Sequence, residues 1–162
     1  MKPAEVSTPS DREVLVKRSF DAPVNLVWQA YTDPALMRRW LTAMPGWSMP
    51  VCEMTTHVGG KYRWRWRDQS GHEFGFTGEM LEVALHSKIV HTQIYDPGDS
   101  DVESMGGEPS IVTVTFNETD GITNVATSIK FASKADRDAA MSTGMTDGME
   151  MSYKQLDGVL AG

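Results

Sequence analysis

The chain has 162 residues, of which 40% are hydrophobic and 23% charged. That suits one globular domain with a real core and argues against intrinsic disorder. The formal charge of -7 comes from 15 basic and 22 acidic side chains, so no basic excess is available to displace counterions from a nucleic acid. Mean hydropathy is -0.34, and no apolar run approaches the ~20 residues of a membrane span. The opening MKPAEVSTPSDREV lacks the apolar region of a signal peptide. The single cysteine, Cys52, cannot form an internal disulfide, which fits a reducing cytoplasm. Residues 1–95 carry 11 basic and 10 acidic side chains, and residues 96–162 carry 4 and 12. Any electrostatic steering would therefore come from the second half. Eleven methionines and five tryptophans are the other excess, and methionine suits surfaces that adapt to variable apolar partners.

Residues 1–12 are polar, contain two prolines, and read as a flexible tail before a single domain over residues 13–162. EVLVKRSF, from Glu13, reads as a strand. Pro23 then stands at a first helical position, followed by Val24, Val27, Trp28 and Tyr31 at helical spacing. Asp33-Pro34 repeats the device, with Asp33 as cap and Met37, Trp40 and Leu41 as the apolar stripe. Residues 48–58 are the next expected strand, and Gly59-Gly60 a tight turn. KYRWRWR alternates strictly, which puts Tyr62, Trp64 and Trp66 on one face and Lys61, Arg63, Arg65 and Arg67 on the other. Residues 72–83 and 87–95 are further strands, and 96–109 an acidic, glycine-rich loop. IVTVTF and ITNVATSIKF flank a turn at Glu118–Gly121 and predict a hairpin. Ser133 with Asp136 opens a final helix whose Met141, Met145, Met149, Ser152, Leu156 and Leu160 share one face. Gly144 and Gly148 weaken it by about 1 kcal/mol each and mark a bend or a close approach. Strand, two short helices, about six strands and a long helix make an α+β architecture.

Catalytic and metal signatures are sparse. The four histidines show no metal-ligand spacing, and His72-Glu73 lacks the second histidine of HExxH. Asp99-Ser100-Asp101 begins like a calcium loop, but Ser104 replaces the sixth-position glycine and Ser110 the twelfth-position glutamate. No phosphate-binding loop or nucleophile elbow is present. No metal or other cofactor is expected. Cys52 reads as a small buried hydrophobe, and the Arg63/Arg65/Arg67 ladder as a solvated outer surface.

The run FDAPVNLVWQAYTDPALMRRW, from Phe20 to Trp40, resembles the opening of the SRPBCC (START-like, Bet v 1-like) superfamily. More narrowly, the chain is similar to the branch related to the C-terminal domain of the activator of heat-shock-protein-90 ATPase. VGGKYRWR at 58–65, GEMLEV at 78–83, SKIVHT at 87–92 and TGMTDGMEMSYKQLD at 143–157 agree in order and spacing. The resemblance implies a helix-grip: a curved antiparallel sheet of about six to seven strands wrapped around the long C-terminal helix, with a cavity between them. Relatives often hold an apolar or amphipathic molecule there. One departure is Met149 after Gly148, where the branch often has Gly-Trp.

Three readings follow. A binding module would use Trp28, Tyr31, Trp40, Tyr62, Trp64, Trp66, Met141, Met145, Met149 and Tyr153 as cavity walls, with Glu79, His91 and Gln93 as polar anchors. Relatives tend to carry apolar or aromatic side chains where His91 and Gln93 stand. A chaperone-interacting protein with a part in the stress response would follow the activator, although that protein carries an additional N-terminal domain. An enzyme of cyclase or hydrolase type would need an inward acid/base pair, for which Glu79 and His91 are the candidates. Pairing of Glu79 with Arg63 or Arg65 across the sheet is its bland alternative. A monomer or homodimer is expected.

Overall fold

The alternating segments of the chain lie side by side in one antiparallel sheet. The computed structural model describes residues 2–41, 45–96 and 108–162, so the acidic loop expected over 96–109 lies, from 97 to 107, outside the described residues. Among the described residues there are eight strands: β1 (Glu5–Ser7), β2 (Glu13–Phe20), β3 (Ser48–Met54), β4 (Lys61–Arg67), β5 (Glu73–Ala84), β6 (Lys88–Asp96), β7 (Ser110–Thr119) and β8 (Ile122–Lys130). Their order is β1-β2-β8-β7-β6-β5-β4-β3, one strand more than expected. The addition is β1, inside the stretch read as a tail: Glu5 to Ser7 pair with Lys17 to Leu15, and the Ala4 N–H donates to Glu150 at 2.9 Å.

Among the described residues four helices accompany the sheet: α1 (Val24–Thr32), α2 (Pro34–Trp40), α3 (Lys134–Ser142) and α4 (Met145–Ala161). Pro23 is the residue before α1, with φ -67 and an extended ψ of 156, and its carbonyl accepts from Leu26 and Val27. Asp33 caps α2 by accepting the Ala35 N–H at 2.9 Å, and the Trp40 indole donates to the Ala30 carbonyl at 2.8 Å, tying α2 to α1. Ser133 caps α3 by accepting from Asp136. The single C-terminal helix expected from the sequence is two helices. Gly144 takes φ +79, a left-handed conformation that ends α3 and opens α4, while Gly148 is carried inside α4 without a break.

The core lies between the sheet and the helices. Val14, Val16 and Phe20 of β2, Val112, Val114 and Phe116 of β7, Val125 and Ile129 of β8, and Tyr153 and Leu156 of α4 are all buried. Arg18 stands among them at 4% exposure. Its two terminal nitrogens donate to the two Asp157 oxygens at 2.8 Å, and Nε and Nη2 reach Glu150 Oε1 at 3.2 Å. Hydrogen bonds to Asp157, the largest favourable cause, and to Glu150 raise the Arg18 pKa against burial, so the guanidinium stays charged. α4 is thereby fastened to β2.

The arginine ladder on β4 departs from the expected solvated surface. Arg65 is 5% exposed. Its register neighbour on β5 is Gly75. The guanidinium reaches Asp96 on β6 at 2.7 Å and also meets Glu73 at 3.0 Å. Arg67 shares Glu73, donating at 2.8 Å.

Arg18→Met should lower stability by about 2–3 kcal/mol, because two carboxylates lose their counter-charge but keep some solvent access. Urea unfolding midpoints of Arg18→Met against Asp157→Asn check this, with the arginine variant the weaker. Gly144→Ala should cost about 1 kcal/mol from the left-handed backbone alone.

Candidate functional site

Alternation on β4, β5 and β6 builds one wall. Tyr62, Trp64 and Trp66 stand in register with Gly78, Phe76 and Phe74, and Phe76 in register with Tyr95. These residues share the face toward the helices. The rings touch in sequence: Tyr62–Trp64 at 4.4 Å, Trp66–Phe74 stacked at 5.3 Å, Phe74–Tyr95 stacked at 6.4 Å, and Phe76–Tyr95 at 5.9 Å. Tyr62 is fully buried, Trp64, Phe74 and Phe76 are half-buried, and Tyr95 is 45% exposed. The wall is closed at its Tyr62 end and opens to solvent at Tyr95.

Gly78 is what lets the closed end form. A Cβ there would lie 2.5 Å from the Tyr62 ring, so only glycine allows that ring to cross β5. The Tyr62 hydroxyl then donates to the Thr92 carbonyl on β6 at 2.6 Å, and burial pushes its pKa well above the usual phenol value.

His91 sits edge-on to Tyr62 at 4.8 Å and to Trp64 at 6.2 Å, with 5% exposure. Its Nδ1 lies 2.8 Å from the Thr92 carbonyl. A carbonyl only accepts, so Nδ1 carries the proton and Nε2 presents its lone pair. Burial lowers the His91 pKa, against the smaller opposing effect of that backbone bond, and the ring is neutral. The indole nitrogens of Trp40 and Trp66 donate to the carbonyls of Ala30 and Leu41. The Trp64 indole nitrogen is buried with no partner among the described residues, and such a group costs about 1–3 kcal/mol while unsatisfied.

The other expected site residues divide. Gln93 follows His91 on the same face of β6, half-buried, opposite Ser110. Glu79 is on the opposite face: it is exposed, in register with Lys61, and it borders a shallow outer groove of about 450 Å³ with Arg63, Thr77 and Ile94. The sheet therefore separates Glu79 from His91, and the two do not form an acid/base pair. Glu79 also does not meet Arg63 or Arg65 in register; their partners on β5 are Thr77 and Gly75. Trp28, Tyr31 and Trp40 belong to the opposite half of the core, where Trp28 and Tyr31 each lie 5.2 Å from Phe116 and Tyr31 lies 4.9 Å from Trp40. Tyr153 is buried beside Thr127 and Tyr31, and burial pushes its pKa up to about 12. The buried Tyr31 hydroxyl faces that of Tyr153. Met141, Met145 and Met149 are half-buried against the same core.

Tyr153 and Leu156 of α4 are buried with the inner residues of β2, β7 and β8, so side chains pack the C-terminal helix onto that half of the sheet. The second prominent concavity, about 460 Å³, also lies outside, where Arg39 faces Lys154, Gln155 and Val159. Phe74 and Phe76 are wall residues that the sequence reading did not single out. Their signal was the period of two in EFGFTGEM, which puts Phe74, Phe76, Gly78 and Met80 on one face.

The neutral, buried His91 makes stability pH-dependent. The unfolded chain takes up a proton near the ordinary histidine value of about 6.5, and the folded chain only at lower pH. Stability is thus complete above that value and falls as pH drops below it. The expected extra slope is at most about 1.4 kcal/mol per pH unit. Urea midpoints between pH 7.5 and 5.5 should fall more steeply for the natural protein than for His91→Phe.

Comparison with known proteins sets this geometry in a family. The profile described as activator of Hsp90 ATPase homolog 1-like protein matches residues 21–161. A crystal structure of a protein from Rhodobacter sphaeroides is similar at 29% identity and TM-score 0.88, covering 99% of each chain. Protein Ms6760 from Mycobacterium smegmatis is similar at 22% identity and TM-score 0.85, over 98% of this chain and 97% of that one. The solution structure of the AHSA1-like protein from Aeromonas hydrophila is similar at 20% identity and TM-score 0.70, over 91% and 93%. Among curated proteins none matches the sequence. With the profile spanning nearly the whole chain and an eight-stranded antiparallel sheet carrying a C-terminal helix, the protein belongs to the activator of Hsp90 ATPase homolog 1-like family, within the SRPBCC, Bet v 1-like fold.

Proposed function

We propose that the protein binds a small apolar or amphipathic molecule on the inner face of β4, β5 and β6. The observation that carries this reading is the continuous aromatic wall that passes from buried Tyr62 through Trp64, Trp66 and half-buried Phe76 to exposed Tyr95. Flat apolar ligands gain from such a wall both by burial, at about 25 cal/mol per Å², and by ring stacking. The half-buried methionines Met145 and Met149 of α4 supply soft side chains that can shift to admit a guest. α4 packs on α2, on α3, on α1 and on β2. Membership of the family is compatible with this reading.

The family name supports a second reading, docking on a chaperone with a change in its ATPase rate. A pull-down and ATPase assay with the cognate chaperone separates the two, because small-molecule binding does not require the chaperone.

Native mass spectrometry and thermal shift across a panel of lipids and aromatic compounds test the first reading. A ligand at 100 times its Kd adds about 2.7 kcal/mol, which for a chain of this length raises Tm by about 5–10 °C. Tyr95→Ser should weaken binding severalfold while changing the stability of the free protein by no more than about 0.5 kcal/mol, since the ring is half exposed. A panel that leaves Tm unchanged overturns the reading.

A further inference from the structure

The outer face of the sheet carries a charge pattern that is complementary to itself. Every outward side chain of β4 is a cation: Lys61, Arg63, Arg65 and Arg67. Their register partners on β5 are, in the same order, Glu79, Thr77, Gly75 and Glu73, acidic at both ends and neutral between. On the other side of β4, Glu53 of β3 stands beside Arg63.

The two ends of this ladder differ. At one end Arg65 and Arg67 are satisfied within the chain by Glu73 and Asp96. At the other end Lys61 is in register with Glu79 and Arg63 with Glu53, yet among the described residues no ion pair joins either couple. All four side chains are exposed. They border the outer groove of about 450 Å³, with the uncharged Thr77, Thr92 and Ile94 between them, and Ile94 is 42% exposed.

A second copy of the chain supplies the missing partners. In a two-fold contact both copies offer the same patch. With the axis running along the strands between β4 and β5, β4 of one copy lies over β5 of the other. Lys61 then meets the partner's Glu79 and Glu79 meets the partner's Lys61, so the pair is made twice. Arg63 extends over the partner's Thr77, into the groove. Stacked sheets lie about 10 Å apart, a gap that long charged side chains bridge end to end. An axis running across the strands would instead lay β4 on β4 and set cation against cation, so charge selects the first orientation. A uniformly anionic partner fits less well, because Glu53 and Glu79 stand beside the two cations.

We propose that the outer face of β4 and β5 is a self-association surface, on which two copies of this chain pair about a two-fold axis through reciprocal contacts of Lys61 with Glu79. Exposed ion pairs are individually weak, so the dimer is a concentration-dependent one. Its surface lies on the opposite side of the sheet from the aromatic wall and is independent of the small-molecule reading.

Sedimentation velocity of the full chain, from about 10 μM to about 1 mM, reads the association. Glu79→Lys sets cation against cation and Lys61→Glu acid against acid, so each variant alone should dimerise roughly tenfold or more weakly. An equimolar mixture of the two variants restores both contacts and should dimerise within about threefold of the natural protein. The double variant, Lys61→Glu with Glu79→Lys, should do the same. The mixture and the double variant keep the average net charge of the natural protein, so recovery does not come from a change in overall repulsion. Mixing rescues only a contact made between copies, never a misfolded chain. A chain that stays monomeric at about 1 mM, a dimer that neither single substitution weakens, or single variants whose mixture fails to associate overturns the pairing.

Discussion

Arg18 decides where the C-terminal helix can lie. A guanidinium at 4% exposure cannot remain without counter-charge, and the two carboxylates within its reach, Glu150 and Asp157, are two turns apart on α4. Three contacts follow from this one requirement. α4 is pinned along β2, its Tyr153 and Leu156 face the core, and Glu150 has an oxygen left to hold the N–H of Ala4 and with it the N-terminal strand. Taking such a cluster out of water has its own cost, and the gain it offers is chiefly a defined placement of helix on sheet.

That placement divides the sheet. The β2, β8 and β7 half meets α1 and α4 closely, and Val14, Val16, Phe116 and Val125 are buried there. The β4, β5 and β6 half carries larger rings and less cover, which leaves Phe74 and Phe76 half-buried and Tyr95 exposed. Two glycines on β5 make the second half possible. Gly78 admits the Tyr62 ring, and Gly75 lets the Trp64 carbonyl of β4 come close, where a Cβ would lie 1.9 Å from its oxygen. The ion cluster of Arg65 with Glu73 and Asp96 backs the wall and joins β4, β5 and β6 from behind.

Much of the fold was legible in the residues. The alternation of KYRWRWR named the inner and outer faces of β4 correctly, Asp33 and Ser133 announced the starts of α2 and α3, and the glycines of the last segment signalled a bend that Gly144 supplies. The strand in the N-terminal stretch was not legible, because a three-residue edge strand carries almost no periodicity of its own. The burial of Arg65 escaped for a related reason: its companions are a glycine on the next strand and an aspartate on the strand beyond, and neither pairing leaves a mark in the local pattern.

The composition and spacing of this chain determined its class, most of its element order and the residue types that line each strand face. These follow from local rules, since a period of two or of about 3.6 is written in consecutive residues. Only the tertiary structure decided that Glu79 and His91 lie on opposite sides of the sheet, that Trp28, Tyr31 and Trp40 pack against Phe116 apart from the β4–β6 wall, and that the indole of Trp64 is left without a partner beside a histidine with a free lone pair. Those facts depend on strand register and on which hydrogen-bonding groups meet across distant segments, and neither is set by any one stretch of sequence.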